Sequence, residues 1–362
     1  MKIIAIEPII VRIPFTDGGT GIGITPQRWN MLDIVLVRIE TDTGLVGWGE
    51  AFGYFCYRSV ALAVREMIAP ILIGRALDDP AALNLEVQRK LALFGRYGIT
   101  IFALSGVDIA LWDLKAKAEG RSLAALLSAS PRADIEAYAS LVRYGDSDLV
   151  ARFSERACSQ GYRTLKLHEV TMPEIRAGRA AVDPAMKFTV DVNCNWSAEI
   201  ASDYLPELAA LDTLWLEEPV FPPEDFETMT RLRGLGVALS AGENACTAFE
   251  FERLMAVVDF PQPSVTKVGG VSEFRKIAQS AQRHGRTIMP HSPYFGPGYH
   301  ATLQLAAANA NVGLFEYLYV EPEMWIAARM PLPENGRIQV PEAAGIGFEP
   351  DVDVLERYRV AI

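Results

Sequence analysis

The chain has 362 residues and a formal net charge of −11, from 45 acidic and 34 basic side chains. It lacks the excess of basic residues that binding to nucleic acid or to an anionic membrane usually requires, so we expect neither partner. Half of the residues are hydrophobic and 22% are charged, which is typical of a globular protein longer than one average domain.

The first 125 residues predict antiparallel strands followed by helices. Residues 3–13 alternate loosely, and residues 32–51 predict a hairpin that turns at Asp42-Thr43-Gly44. The Gly-rich segment 15–29 has no G-x-x-x-x-G-K pattern and precedes a strand, so we reject nucleotide binding and predict a mobile lid. Helical patterns follow over residues 59–72, 80–94 and 99–120, which completes an α+β unit.

From Ile135 to Tyr317, short apolar runs alternate with helical patterns. The eight strand candidates are IEAYASL, YRTLKLH, KFTVDVN, TLWLEEP, VALSAGE, SVTKVG, RTIMPH and VGLFEY. Helical patterns such as DLVARFSERACSQG and EFRKIAQSAQRHG separate them, which predicts successive βα units that close into a parallel barrel. After Tyr317 the chain becomes Pro-rich, and we expect its end to run back to the first domain.

Targeting and redox signals are weak. No uninterrupted apolar stretch approaches the ~18 residues of a membrane span, and the first residues, MKIIAIEPIIVRI, predict a strand rather than a signal peptide. The cysteines are widely separated and form no CxxC pair: Cys56, Cys158, Cys194 and Cys246. This spacing argues against a zinc or disulfide framework, so we expect a cytoplasmic protein.

Three predicted strands end in a carboxylate: Asp191, Glu217 and Glu243, at intervals of 26 residues. The C-terminal ends of barrel strands meet at one mouth, where these side chains would raise one another's pKa unless a cation lies between them. Ligation by oxygen alone favours Mg²⁺, with Mn²⁺ as a substitute. Three solvated loop acids are the alternative, which the equal spacing disfavours. Glu218 is the strand neighbour of Glu217 and should point to the opposite face, so we expect it to contact the metal ligands and not the metal ion.

Other ionisable residues end strands two, seven and eight. Lys166 and His168 are two residues apart and therefore share one face of strand two. His168 can accept a proton near neutral pH, whereas Lys166 could pair with a substrate carboxylate or hold His168 neutral. His291 ends strand seven on the far side of the ring, and Glu316 ends strand eight. Two histidines on opposite sides of a substrate suit acid and base chemistry on its two faces.

These residues, in this order, resemble the enolase superfamily, within it the mandelate racemase and muconate lactonizing enzyme branch. The supporting strings are GYRTLKLH, DVN, LEEP, SAGEN, KVGG and MPH, and the resemblance covers nearly the whole chain. It implies a modified (β/α)8 barrel of the (β/α)7β type with an N-terminal α+β capping domain. We accordingly predict a cap over residues 1–125, a barrel over 126–325 and a C-terminal segment over 326–362 that returns to the cap.

The resemblance also implies a first reaction step. Mg²⁺ binds the substrate carboxylate, a base removes the proton α to it, and the metal stabilises the enediolate. The three strand-end carboxylates match the metal ligands, and Lys166 matches the lysine that assists the substrate carboxylate. His168 stands where a second lysine is the usual base. Glu316 matches a glutamate that hydrogen-bonds the substrate, and His291 matches the histidine of a His-Asp dyad.

Two positions depart from the family pattern. At the first, His168 stands where the family has a lysine. The ordinary pKa of histidine is far lower than that of lysine, so the site has to lower the pKa of His168 less to keep it as a neutral base. At the second, Ser264 replaces the dyad aspartate, and His291 therefore loses a carboxylate partner. Racemisation is disfavoured, and we expect His291 to protonate a β-hydroxyl leaving group. Lys267 is predicted on the same strand as Ser264, either as a substrate contact or as a second base.

We therefore expect a Mg²⁺-dependent lyase that dehydrates a sugar acid. The alternatives are a racemase or epimerase, a cycloisomerase that eliminates an internal ether through the same enolate, and a non-catalytic sugar-acid-binding descendant. The expected substrate contacts are Asn193, Ser264, Lys267, Trp29 and Tyr54, with Arg28, Tyr57, Tyr138 and Ser140 as further candidates. Relatives in this family form oligomers, so we expect a homo-oligomer by analogy.

Overall fold

The N-terminal part of the chain is an antiparallel sheet. The computed structural model describes residues 1–21 and 28–362, so part of the predicted lid, residues 22–27, lies outside the described residues. The first three strands, β1 (Ile3–Thr16), β2 (Met31–Thr41) and β3 (Val46–Phe52), pair in sequence order. The hairpin of β2 and β3 turns where it was predicted, and Gly44 in the turn has φ +81°.

The predicted helices of this region are present. The segment after β3 is helical throughout, as α1 (Tyr57–Leu62), a π-helical turn (Ala63–Ile68) and α2 (Ala69–Leu72). There follow α3 (Pro80–Lys90), a 3-10 turn (Ala92–Phe94), α4 (Gly98–Ala118) and α5 (Leu123–Leu127). Helix α4 packs directly on β3. A Cβ atom at Gly49 would lie 1.9 Å from the carbonyl oxygen of Gly106, so this close approach requires glycine at position 49.

Parallel strands alternate with helices in the rest of the chain and form a barrel. The strands are β4 (Asp134–Ser140), β5 (Thr164–Leu167), β6 (Lys187–Asp191), β7 (Thr213–Glu217), β8 (Ala238–Ala241), β9 (Phe260–Pro261) and β10 (Phe315–Leu318). They pair in the order β10-β4-β5-β6-β7-β8-β9. The helices are α6 (Ser147–Ser159), α7 (Met172–Ala180), α8 (Ala198–Ala210), α9 (Phe226–Leu232), α10 (Thr247–Leu254), α11 (Gly270–Arg283) and α12 (Pro297–Ala308).

The segment RTIMPH closes the ring between β9 and β10 without forming a regular strand. Ile288 makes an isolated parallel bridge with Val312 on one side. On the other side, the backbone N–H of Met289 donates to the carbonyl oxygen of Pro261 at 3.1 Å. The barrel therefore has eight sides, seven of them regular strands, and the seven helices α6 to α12 match a (β/α)7β-type barrel.

The prediction that SVTKVG forms the sixth strand is wrong. The strand on this side of the barrel is β9, and residues 264–269 form a tight turn, in which the N–H groups of Lys267 and Val268 both donate to the carbonyl oxygen of Ser264 at 2.9 Å. Gly269 and Gly270 follow with φ of +106° and +79° and lead into α11. Ser264 and Lys267 are consequently one turn apart and do not share the face of a strand.

The last part of the chain contacts both sheets. Strand β11 (Glu321–Pro322) pairs antiparallel with β1, and β12 (Arg337–Gln339) pairs antiparallel with β4. Helix α13 (Val352–Tyr358) then leads into β13 (Arg359–Val360), which also pairs with β1. The exact domain boundaries stay a prediction. None of the helices in the described residues is long and apolar enough to cross a membrane.

Candidate active site

A cavity of about 170 Å³ lies between the C-terminal ends of the barrel strands and the N-terminal sheet and its loops. The residues predicted from the sequence that line it are His168, Asn193, Glu243, Lys267, His291, Glu316, Trp29 and Tyr54. The lining residues that the sequence did not reveal are Phe52, Phe55, Pro293 and Leu318. The barrel wall is therefore largely ionisable, and the opposite wall is aromatic.

Lys166 is completely buried and joins three carboxylates of the barrel. Its Nζ atom lies 2.8 Å from Glu217 Oε1, 2.7 Å from Glu316 Oε1 and 3.4 Å from Asp191 Oδ2. Burial alone would lower the pKa of Lys166, but Glu217 and Glu316 raise it well above its ordinary value. Lys166 is thus a permanent cation that holds the ends of β6, β7 and β10 together.

Asp191 and Glu217 lie opposite one another in the pairing of β6 with β7. Burial raises the pKa of Glu217 well above its ordinary value, and the charge of Asp191 raises it further. Glu217 Oε2 accepts hydrogen bonds from Trp215 Nε1 at 3.1 Å and Gln262 Nε2 at 2.7 Å. Burial would also raise the pKa of Asp191, but Lys166 and His168 hold it below its usual range.

His168 directly follows β5 and presents its two ring nitrogens to different surroundings. Nδ1 is hydrogen-bonded to the carbonyl oxygen of Leu141, which can only accept. In the neutral imidazole this contact puts the proton on Nδ1 and the lone pair on Nε2. Nε2 lies 3.2 Å from Asp191 Oδ2, and His168 itself lines the cavity. His168 is therefore held in the tautomer that a proton acceptor at Nε2 requires.

His291 stands on another wall of the same cavity. Its Nε2 lies 2.6 Å from Glu243 Oε2, and its Nδ1 lies 3.2 Å from Ser264 Oγ. Burial would raise the pKa of Glu243, but His291 lowers it to about 2. Ser264 is in turn hydrogen-bonded to the hydroxyl of Tyr294. A pair of neutral hydroxyls thus occupies the side of His291 where the family dyad has a carboxylate, and Ser264 itself lies behind the cavity wall.

Of the predicted metal ligands, Asp191 and Glu217 are buried and Glu243 is partly exposed, and each already pairs with a lysine or histidine side chain. Within residues 1–21 and 28–362, no three His, Cys, Asp or Glu side chains are arranged to hold a metal ion. The donor chemistry fits a hard divalent cation, because all donors are oxygens and burial, followed by the charge of Asp191, raises the pKa of Glu217. Burial, followed by the charge of Glu243, raises the pKa of Glu218 to about 7.

The cap contributes aromatic side chains to the cavity. The Trp29 and Tyr54 rings lie 5.0 Å apart, and the Tyr54 hydroxyl donates to the carbonyl oxygen of Pro293. Two other candidates are absent from the cavity wall. Arg28 is exposed, and Tyr57 lies under the Arg12 guanidinium at 4.9 Å.

Two candidates from the first barrel strand are also misplaced. Tyr138 and Ser140 are fully buried beneath the cavity, because these alternate residues of β4 share the face of the strand that points into the barrel interior. Ser140 Oγ donates to Glu316 Oε1 at 2.8 Å, and the Tyr138 ring lies 5.7 Å from Lys166 Nζ. They support the charged residues and do not line the cavity.

Arg143 and Gln262 are site residues that the sequence analysis missed. Arg143 donates from Nη2 to Asn193 Oδ1 at 3.0 Å and from Nε to the carbonyl oxygen of His168. Gln262 binds Glu217, as described above. Both residues follow barrel strands within three positions, so a systematic search of strand ends for polar residues would have found them.

Comparisons with known proteins agree with this geometry. Residues 22–128 match the mandelate racemase / muconate lactonizing enzyme N-terminal domain, and residues 148–354 match the enolase C-terminal domain-like family. The chain is 31% identical to D-galactarolactone cycloisomerase of Agrobacterium fabrum over 92% of this chain and 93% of that protein. It is 32% identical to D-galactonate dehydratase of Verminephrobacter eiseniae over 75% of this chain and 73% of that protein.

A solved structure shows the same architecture. The mandelate racemase/muconate lactonizing protein of Paracoccus denitrificans PD1222, complexed with magnesium, superposes with a TM-score of 0.87 at 26% identity. The match covers 100% of this chain and 99% of that chain. The chain therefore belongs to the enolase superfamily, in its mandelate racemase and muconate lactonizing enzyme branch.

Proposed function

We propose that the protein removes the proton next to the carboxylate of a sugar acid and then eliminates a β-hydroxyl group as water. The observation that carries this proposal is the placement of His168 and His291 in one cavity, each with its Nε2 beside a carboxylate of the acidic cluster. Relatives that act on sugar acids support the substrate class, and they include a dehydratase.

We further propose that Asp191, Glu217 and Glu243 hold Mg²⁺, for which Mn²⁺ can substitute. The fit rests on their shared chemistry, since all are oxygen donors and the charge of Asp191 adds to the raised pKa of Glu217, a repulsion that a divalent cation would relieve. When bound, the metal ion supplies positive charge that stabilises the negative charge developing on the substrate carboxylate. Glu218 supports this cluster through its hydrogen bond from the backbone N–H of Gly242, at 2.9 Å.

In this proposal, His168 is the base. Its Nε2 takes the α-proton, and the electron pair of the broken C–H bond moves into the carboxylate, which gives an enediolate. The Nδ1–H hydrogen bond to Leu141 fixes the ring for this transfer. Glu316, which lines the cavity, orients the substrate carboxylate, and Lys166 contributes a fixed positive charge beneath it.

His291 is the acid of the second step. It gives the Nε2 proton to the β-hydroxyl group as the C–O bond breaks, so that water leaves and the electron pair of the enediolate forms the new C=C bond. The resulting enol then becomes a 2-keto-3-deoxy acid. Ser264 orients His291 but brings no negative charge to the imidazolium form.

A cycloisomerase is the second candidate. The relative from Agrobacterium fabrum is a D-galactarolactone cycloisomerase, and its match extends over 92% of this chain. In this alternative His168 acts in the same way, but the leaving group is a ring oxygen of the substrate instead of a hydroxyl group. Racemisation is disfavoured, because it requires a base on the second face. A homo-oligomeric assembly stays a prediction.

Proton NMR in D₂O with Mg²⁺ tests the proposal. A panel of sugar acids is followed for exchange of the α-proton and for signals of keto-deoxy products. Elimination of water establishes the dehydratase, whereas exchange with ring opening and retained oxygen establishes the cycloisomerase. Exchange with all hydroxyl groups retained and epimer formation would contradict both. Absence of metal-dependent turnover over the whole panel would favour the non-catalytic descendant.

Histidine variants separate the two roles. We expect His168→Asn to lose both exchange and elimination, and His291→Asn to retain exchange while elimination falls about 10²-fold or more. His284→Asn is the matched control, since His284 lies at the end of α11, 2.8 Å from Glu252 and outside the cavity. Elimination at the wild-type rate in His291→Asn would show that His291 is not the acid.

A further inference from the structure

Lys267 is a second buried lysine at the cavity, and it differs from Lys166 in its partners. Its side chain is only 9% exposed and lines the cavity wall. Nζ lies 4.8 Å from the centre of the Phe52 ring and 5.8 Å from that of Phe102. Within the described part of the chain, Nζ makes no hydrogen bond and no ion pair. Aromatic faces attract the charge but leave all three N–H donors unused.

The carboxylates around the cavity already pair with other groups. Glu243, whose charge Lys267 influences, is ion-paired with His291 at 2.6 Å. Glu316 accepts from Lys166 at 2.7 Å and from the backbone N–H of Ser292 at 2.9 Å. Lys267 therefore faces the cavity without a hydrogen-bonded counter-ion, and an anion that arrives with a ligand would supply one.

The position of Lys267 defines which end of the substrate it meets. Lys166 lies on β5 and Lys267 follows β9, four strands further along a ring with eight sides. The two lysines therefore stand on opposite sides of the barrel mouth. An acyclic substrate whose reacting carboxylate lies above Lys166 extends its other end toward Lys267, Phe52 and the cap.

We propose that Lys267 binds a second carboxylate at the far end of the substrate, so that the preferred substrates are sugar diacids or their monolactones. The inference rests on the proposed function for the identity of the reacting end. A single ammonium matches the single charge of a carboxylate, whereas a phosphate group normally engages several donors. The phenylalanine rings exclude water from the other side of Nζ, which strengthens the pairing.

Paired ligands test this inference without relying on turnover. Calorimetric titration of the Mg²⁺-loaded protein compares glutarate, which has two carboxylates, with butyrate, which has one. Neither ligand carries a hydroxyl group to eliminate. We expect the wild type to bind glutarate about 10- to 100-fold more tightly than butyrate, as for a charge-assisted hydrogen bond. Lys267→Met removes most of this preference, and Lys267→Arg retains part of it.

Kinetics provide the second measurement. The ratio of kcat/KM for galactarate and glucarate to that for galactonate and gluconate is expected to fall by a similar factor in Lys267→Met. Equal losses for diacids and monoacids would overturn the inference and identify Lys267 as a structural residue or a second base. Lys267→Gln serves if the methionine variant does not fold. A wild type without preference for glutarate overturns the inference even if dehydration is confirmed, and a retained preference upholds it even if no substrate turns over.

Discussion

Glu50 links the N-terminal sheet to the barrel through a buried carboxylate, and its protonation should appear in the stability of the protein. The residue lies on β3 and is only 3% exposed. Its Oε2 accepts from the backbone N–H of Gly298, at 2.8 Å, in the first turn of α12. Burial raises the pKa of Glu50 from 4.5 to about 7, although the N–H groups of Gly298 and Gly296 oppose this rise.

The sign and size of the effect follow from this pKa. Between about pH 4.5 and pH 7 the folded protein keeps a proton on Glu50 that the unfolded chain has lost. Stability from this group is therefore complete below about pH 4.5 and falls as the pH rises through 7. At about 1.36 kcal/mol per pH unit, the total change is about 3 kcal/mol. Glu50→Gln cannot ionise and lacks this change.

Urea denaturation at several pH values from 4.5 to 8.5, monitored by tryptophan fluorescence, measures this change in the free energy of unfolding. We expect the free energy of unfolding of the wild type to fall by about 3 kcal/mol relative to Glu50→Gln over this range. Glu155→Gln is the control, because Glu155 is an exposed glutamate on α6. A free energy of unfolding of the wild type that stays constant relative to that of Glu50→Gln over this range, or that rises relative to it as the pH rises, would refute the reasoning.

Three further predictions concern the metal, the dyad position and the cap contact. Mg²⁺ at 100 times its Kd should stabilise the protein by about 2.7 kcal/mol in thermal denaturation, and Asp191→Asn should abolish this effect. Ser264→Ala should reduce elimination only about tenfold, because it removes one neutral hydrogen bond to His291, and a loss as large as that of His291→Asn would contradict this. Asn84→Ala should cost about 2 kcal/mol in urea denaturation, since Asn84 Nδ2 donates to buried Asp108 at 2.8 Å, and an unchanged midpoint would contradict this.

The strand-end residues were predictable because the barrel imposes a simple rule. Once the βα alternation is recognised, side chains at the C-terminal ends of strands must meet at one mouth, and Asp191, Glu217 and His168 follow from that rule. The rule does not say which of them pair. Lys166 pairs with three carboxylates, and no local pattern in the sequence encodes that choice.

Other features depend on contacts between distant parts of the chain. Glu50 and Gly298 are 248 residues apart, and neither belongs to a motif that announces the contact. The segment SVTKVG failed as a strand prediction because Val265 and Val268 are buried in a tight turn as completely as they would be in a strand. Short apolar runs do not distinguish these two conformations, and here the glycines that follow decide between them.

The buried charges also determine which variants can reveal a catalytic role. Replacing Lys166 with a neutral residue would leave the carboxylates of Asp191, Glu217 and Glu316 without their shared cation, and breaking such a buried pair typically costs about 3 to 5 kcal/mol. Lost activity in a Lys166 variant would therefore report on folding first. His168 is the more informative residue, because its ring makes one hydrogen bond to a backbone carbonyl and one contact with Asp191, so His168→Asn removes the base while Lys166 and its three carboxylates stay in place.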